Sequence, residues 1–416
     1  MKLRNYQVKL VSQCKDVLDK YHLCYLAAEE RVGKTLPALE LALNYISNDL
    51  QVLIVTKKKV INSWIDTINI YVPEYKRKDF IITNFENIKN LENNKNFKQS
   101  KLFFVIIDEA HHILSAYPTP SKICILLQKI VYEVPYMLLL SATSHGETAS
   151  QLFHQLNLSK YSPFDSFKNF KEWFSYFGIP TTQWIGNRFI NKYNKCKEKE
   201  VMQFVSPYFV TMSRKEAGFL YEPEDAIIYI NVNEKLKKIY STLENNKCLK
   251  KLQYEANTKA KLITALHQLE GGTLKLNDKV SIDIYKYYNI NIIPDKINYI
   301  LQEYGDNGNI AIFYNYIYEG VLLNNYFKKA LILQGTSYAE GIDLKHIKHL
   351  IIYSQNFSAC KYIQRRARQA GAERKELIQV KFLLCKGYIS EMIYNCVAKK
   401  NKNFTSSFYI NYKDAI

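Results

Sequence analysis

Two short stretches hold residue types suited to phosphate chemistry. AAEERVGKT at Ala27–Thr35 and FVIIDEAHH at Phe104–His112 each close an apolar run. GKT alone is a common tripeptide, and by itself fits a helix N-terminus with a snorkelling lysine. Followed 74 residues later by DEAH (108 − 34), it gives the layout of a centre for nucleoside triphosphate hydrolysis. LCYLAAE reads as a buried strand and Lys34–Ser47 as a helix with apolar residues three and four apart. Backbone N–H groups of the intervening loop (Arg31, Val32, Gly33) and of the helix N-terminus then face a phosphate chain. Lys34 would reach the β- and γ-phosphates and the Thr35 hydroxyl would bind Mg²⁺. Asp108, after four apolar residues, supplies the second magnesium contact, and Glu109 is placed to orient or deprotonate the attacking water. ATP and Mg²⁺ are the implied cofactors.

The elements that must position these groups follow from the alternation of apolar and helical stretches. Strand-like runs at Leu23–Ala28, Val52–Val55, Phe80–Ile82, Phe103–Ile107 and Met137–Leu140 are separated by helical spacing. A second series comprises Ala226–Ile230, Ile310–Phe313, Ala330–Leu333, Leu350–Tyr353 and Val380–Leu384. This pattern predicts an α/β chain of βαβ units with mainly parallel sheets. At 416 residues it exceeds what one core usually supports. The spacing predicts an N-terminal ATP-binding lobe over 1–157, a helical insertion over 158–207 that is rich in aromatics and charge and lacks strand-like runs, and a C-terminal lobe over 208–416. Helices are predicted over much of Lys235–Leu276 and from Asp295 to Tyr304.

Charge points to the partner. A net charge of +18 favours a polyanion, and Lys57–Lys59, Lys76–Lys78 and Arg365–Arg368 are basic clusters. A membrane is the competing reading, but no apolar stretch approaches the roughly 18 residues a span needs, and MKLRNYQ does not read as a signal peptide. Eight cysteines are scattered with no CxxC pair, which argues against a metal site and for reduced thiols in a cytoplasmic setting. The 33 tyrosines, with abundant Lys, Asn and Ile, read as coding bias.

Taken in order, these motifs resemble those of the superfamily 2 helicases, especially the Swi/Snf-type translocases and their compact phage relatives. The similarity runs from LRNYQ at Leu3–Gln7 to QRRARQ at Gln364–Gln369. It implies two RecA-like lobes with ATP between them, and a monomeric motor moving on nucleic acid. DNA is the substrate on the Swi/Snf side, and replication or recombination proteins are further partners. By this resemblance Gln7 recognises adenine. Thr56 and Lys57 in VLIVTKKKVINSW, and Thr83 and Asn84 in ITNFEN, contact the nucleic-acid backbone; the three lysines after a strand end suit phosphate contacts independently. Ser141 and Thr143 in LLLSATS couple the ATP site to nucleic-acid movement. In LILQGTSYAEGIDL, Gly335 and Thr336 touch nucleic acid while Gly341 and Asp343 face the nucleotide. Gln364, Arg365 and Arg368 in YIQRRARQ reach the γ-phosphate, a role suited to the always-charged planar guanidinium.

Three departures from the family pattern stand out. Arg31 occupies a phosphate-loop position where the family usually has glycine, and Ser144 follows SAT where Swi/Snf proteins have proline. The second finger arginine falls on Gly371, which leaves Arg374 as an alternative to Arg368. A non-processive remodeller that uses ATP as a switch, a translocating subunit of a restriction or packaging complex, and a basic binding module without activity remain open. DNA and RNA are not distinguished by the residues themselves.

Overall fold

A computed structural model describes residues 2–47, 49–111, 113–146, 148–185, 188–335, 344, 346–370, 376–400, 403–405 and 409. The chain divides into two units, Met1–Phe219 and Leu220–Ile416.

Within the first unit, β1 (Leu23–Ala28), β2 (Gln51–Thr56), β3 (Phe80–Asn84), β4 (Leu102–Asp108), β5 (Tyr136–Ser141) and a short strand at Phe209–Met212 form one sheet. Its order is β3-β2-β4-β5-β1 followed by Phe209–Met212, and every pairing is parallel. Parallel strands are covered on both faces, so they are near-continuously apolar. All six residues of β2 are buried, as are five of the six in β1 and in β5. The register sets Ile54 against Ile106, Ile106 against Leu138 and Leu26 against Leu140. Helix α1 (Asn5–Tyr21) packs against the sheet through Leu10, Val11, Cys14 and Leu18, and α2 (Thr35–Tyr45) follows the phosphate loop.

The expected insertion differs from the reading above in two ways. Residues 158–207 hold an antiparallel hairpin, Thr181–Ile185 with Arg188–Lys192, beside the helices Phe170–Phe177 and Glu198–Val205. The segment also belongs to the first unit's core. Phe170, Trp173, Phe174 and Phe177 recur at helical spacing and bury with Phe153 and Phe164. The boundary expected at 207/208 lies at 219/220, because Phe209–Met212 pairs with β1 and Phe209 stacks on Tyr25 at 4.6 Å.

In the second unit, strands Pro223–Tyr229, Ile310–Tyr314, Leu331–Gln334, His349–Ile352 and Ile378–Leu384 form a second all-parallel sheet. Leu331–Gln334 and Pro223–Tyr229 are its edges. Four α-helices, Glu234–Asn246, Lys259–Glu270, the short Ile284–Tyr287 and Asp295–Tyr304, and two small hairpins lie between the first and second of these strands in sequence. Each unit is thus a parallel sheet flanked by helices, the RecA-like arrangement. Among the described residues no helix is long and apolar enough to cross a membrane.

Candidate active site

The phosphate loop leaves β1 at Ala28 and enters α2 at Thr35. Arg31 and Gly33 both take left-handed backbone, at φ 71° and 79°, which curls the loop as an anion-binding nest requires. Holding a non-glycine residue there costs about 1–2 kcal/mol, a physical reason for the glycine usual at the Arg31 position. The Lys34 ammonium lies across the loop, donating to the carbonyls of Ala28 at 2.7 Å and Glu29 at 3.4 Å. Helix α1 braces the far side. Tyr6 donates to the Val32 carbonyl at 3.0 Å, and Gln7 Nε2 donates to the Gly33 carbonyl at 3.0 Å while its Oε1 accepts from Arg4 N at 3.0 Å. An amide has two N–H groups and two acceptor lone pairs, and Gln7 spends one of each here in tying down the loop. A Cβ on Gly33 would lie 2.9 Å from Gln7 Nε2. Gly33→Ala should therefore lower unfolding free energy by about 1–2 kcal/mol and raise the KM for ATP by loosening Gln7. Urea unfolding and a KM no different from the native chain would refute this account of the loop.

The carboxylates arrive on β4. Its register with β2 sets Ile107 opposite Val55, which brings Thr56 beside Asp108. Asp108 Oδ2 accepts from Thr56 Oγ1 at 2.9 Å and from Trp64 Nε1 at 3.0 Å. Burial, and next the neighbouring Glu109 charge, push the Asp108 carboxyl up; Trp64, Thr56 and the Lys34 ammonium pull it back. Glu109 sits at φ 54°, a strained conformation of the kind held at functional sites. Its Oε2 is 3.4 Å from His111 Nδ1, which lies 2.7 Å from Ser141 Oγ at the end of β5. Ser141 Oγ in turn accepts from Thr143 N at 3.1 Å. A second branch runs from the His111 carbonyl to Ser115 Oγ (2.6 Å), Gln155 Nε2 (2.9 Å from Ser115 Oγ) and the Tyr25 hydroxyl (2.8 Å from Gln155 Oε1). The ends of β1, β2, β4 and β5 therefore bring Lys34, Thr56, Asp108, Glu109 and Ser141 to one edge of the sheet.

Several site residues were not anticipated. Glu29 and Glu30 place two carboxylates in the loop expected from the sequence to hold phosphate, and buried Arg214 answers them. Its backbone N–H donates to Glu29 Oε2 at 2.8 Å, and its guanidinium lies 3.6 Å from Glu29 and 3.7 Å from Glu30. The signal was the uncompensated EE pair itself. Trp64 and Gln155 carry no comparable mark in the sequence.

Other expected contacts are placed differently. Thr56 is fully buried and spends its hydroxyl on Asp108, so it belongs to the carboxylate site and not to a nucleic-acid surface. Thr83 is also buried, paired in register with Val55. Asn84 caps the next turn by accepting from Asn87 N at 2.9 Å. Lys57 is half-buried, whereas Lys58 and Lys59 are exposed. In the second unit Arg365 is 1% exposed, on the helix Ala359–Arg366. Its guanidinium lies over the Phe313 ring and donates to the Ser354 carbonyl at 3.3 Å. A Cβ on Gly335 would come within 1.8 Å of Arg365 Nη2. Both assignments change: Gly335 is the space into which Arg365 packs, and Arg365 braces its own unit. Burial lowers the Arg365 pKa to about 10, with Glu319 opposing. Gln364 and Arg368 are buried as well. Thr336, Gly341, Asp343, Gly371 and Arg374 lie outside the described residues.

Comparison with known families agrees with this arrangement. The SNF2-related domain profile matches residues 74–275, and that of the type III restriction enzyme, res subunit, matches residues 1–145. The chain is a superfamily 2 helicase-type ATPase. The res-subunit match spans β1 to β5, with Lys34, Asp108 and Ser141, and the SNF2-related match continues through the boundary between the units. Among solved structures, the Sulfolobus solfataricus SWI2/SNF2 ATPase core in complex with dsDNA is 18% identical, with TM-score 0.43, covering 96% of this chain and 92% of that one. The Pyrococcus furiosus Hef helicase domain is 14% identical, with TM-score 0.48, covering 94% and 97%. No curated protein matches the sequence.

Proposed function

We propose that this superfamily 2 ATPase couples ATP hydrolysis to movement along DNA, in viral replication, recombination or remodelling of branched DNA. The observation that carries the chemistry is the single sheet edge at which Lys34, Asp108 and Glu109 meet. Lys34 binds the β- and γ-phosphates, Glu109 orients or deprotonates the attacking water, and Gln7 reads the base. Asp108 and Thr35 fit Mg²⁺: both donors to Asp108 occupy one oxygen, Oδ2, and a carboxylate oxygen plus a hydroxyl are the hard ligands this ion takes beside phosphate oxygens. Among the described residues no group of three or more His, Cys, Asp or Glu side chains could hold a metal. Bound there, Mg²⁺ would neutralise charge on the phosphates. Ser141, through His111 and Thr143, links Glu109 to the segment after β5, a route by which the hydrolysis state reaches a moving part.

The positive charge favours nucleic acid in general, and the SNF2-related match favours DNA. The test is phosphate release with no nucleic acid and with single-stranded, duplex and forked DNA and RNA. Stimulation of at least about tenfold by one of the DNA forms is expected, with a steep fall as salt rises. A rate unchanged by every nucleic acid would sink the motor reading and leave an ATP-driven switch.

A further inference from the structure

We infer a second nucleic-acid contact, outside the helicase-like motifs, in a basic groove of about 660 Å³ on the second unit. The inference rests on the nucleic-acid reading above. One wall is the exposed face of the helix Glu234–Asn246, where Lys238, Thr242 and Asn246 follow one another at four-residue steps. At about 1.5 Å per residue they form a rail some 12 Å long, enough to run beside three or four phosphates of one strand at roughly 3.4 Å of axial rise each. The opposite wall is Lys250 and Lys251, on the single turn after Cys248–Leu249, and Tyr288.

Three features suit this groove to a phosphodiester backbone. Among the described residues no carboxylate lines it; of the two acids on the helix, Glu234 pairs with Lys237 at 2.6 Å and Glu244 accepts from the Tyr409 hydroxyl at 3.2 Å. Lys238, Lys250 and Lys251 are exposed, so each can exchange its counterions for phosphate, the main source of affinity for nucleic acid. Lys251 is also held in place. Its ammonium lies 4.9 Å from the Tyr288 ring centre and 5.5 Å from that of Tyr287, so aromatic faces position the charge without neutralising it. A neighbouring groove makes the contrast. It too carries lysines, Lys261 and Lys275, but Asp278 lines it and binds Lys275 at 2.9 Å, so part of its charge is neutralised.

The test replaces Lys238, Lys250 and Lys251 together by glutamine. A control removes the same charge from Lys168, Lys171 and Lys199, exposed positions of the first unit. Binding of a labelled DNA duplex is followed as salt is raised. Three lost phosphate contacts should reduce the slope of log affinity against log salt by about 2 to 3, and weaken binding at least about tenfold at low salt. ATP hydrolysis without nucleic acid and the melting temperature should not change. If the groove variant follows the control, the groove does not touch nucleic acid and the inference fails. If the native chain itself shows no salt-dependent binding, the underlying nucleic-acid reading fails instead. Anionic phospholipid vesicles form a separate arm: loss of vesicle binding in the groove variant, with DNA binding intact, would assign the surface to a membrane and overturn the inference.

Discussion

Lys34→Ala will hydrolyse ATP about 10²–10³-fold more slowly than the native chain, the usual effect of removing one preorganised donor from a phosphoryl-transfer site. It should also bind nucleotide about 10- to 100-fold more weakly, since a charge-assisted bond is worth about 1.5–3 kcal/mol. The fold should survive. Lys34 is only half-buried, and its two partners, the carbonyls of Ala28 and Glu29, belong to the loop itself. The loop's shape is fixed from other directions, by Tyr6 and Gln7 on α1 and by Arg214 on Glu29 and Glu30. Nucleic-acid binding should persist for the same reason. Phosphate release and titration with a fluorescent ATP analogue measure both effects. Full turnover by the variant would mean that the loop after β1 does not hold the phosphates.

What the sequence discloses, and what it hides, follows from the range of the interactions. Each strand is a local property of a β-branched and aliphatic run, and all ten expected strands form. The phosphate loop is equally local, because nine consecutive residues carry its glycine, lysine and threonine. Thr56 shows where local reading stops. A hydroxyl at a strand end looks the same whether it meets solvent or a neighbouring strand. Only the adjacency of β2 and β4, which are not consecutive in the chain, turns it onto Asp108. Arg214 is hidden more deeply, 185 residues from Glu29. Arg365 was placed by its motif, but the motif does not tell that Gly335 leaves a hollow for it or that Phe313 and Ser354 receive it. The hairpin at 181–192 is a different case. TTQWIGNRFINK carries Gly-Asn between two β-prone runs, a turn signal, but the aromatic helix before it dominates the composition.

Glu109→Gln is the complementary experiment, and its signature should differ in kind. The substitution keeps size and the ability to accept a hydrogen bond but removes the basicity. If Glu109 takes a proton from the attacking water, turnover should fall about 10²–10⁴-fold while affinity for ATP stays near native. Glutamine tolerates the φ of 54° no worse than glutamate, so the loop geometry is retained and the loss reports on chemistry. Loss of a carboxylate beside Asp108 should also ease the upward push on that carboxyl, to which the Glu109 charge contributes after burial. That favours an ionised Asp108 and, if anything, tighter Mg²⁺–nucleotide binding. The pair of variants then separates the two halves of the site. Lys34→Ala lowers binding and turnover together, whereas Glu109→Gln lowers turnover alone, the mark of an interaction made only in the transition state. Single-turnover hydrolysis beside equilibrium nucleotide binding gives the comparison. A Glu109→Gln chain within about threefold of native turnover would leave no proton-transfer role for this residue. The water would then have to be activated by the phosphates themselves, and His111, Ser141 and Thr143 would serve to shape the loop and not to sense its catalytic state.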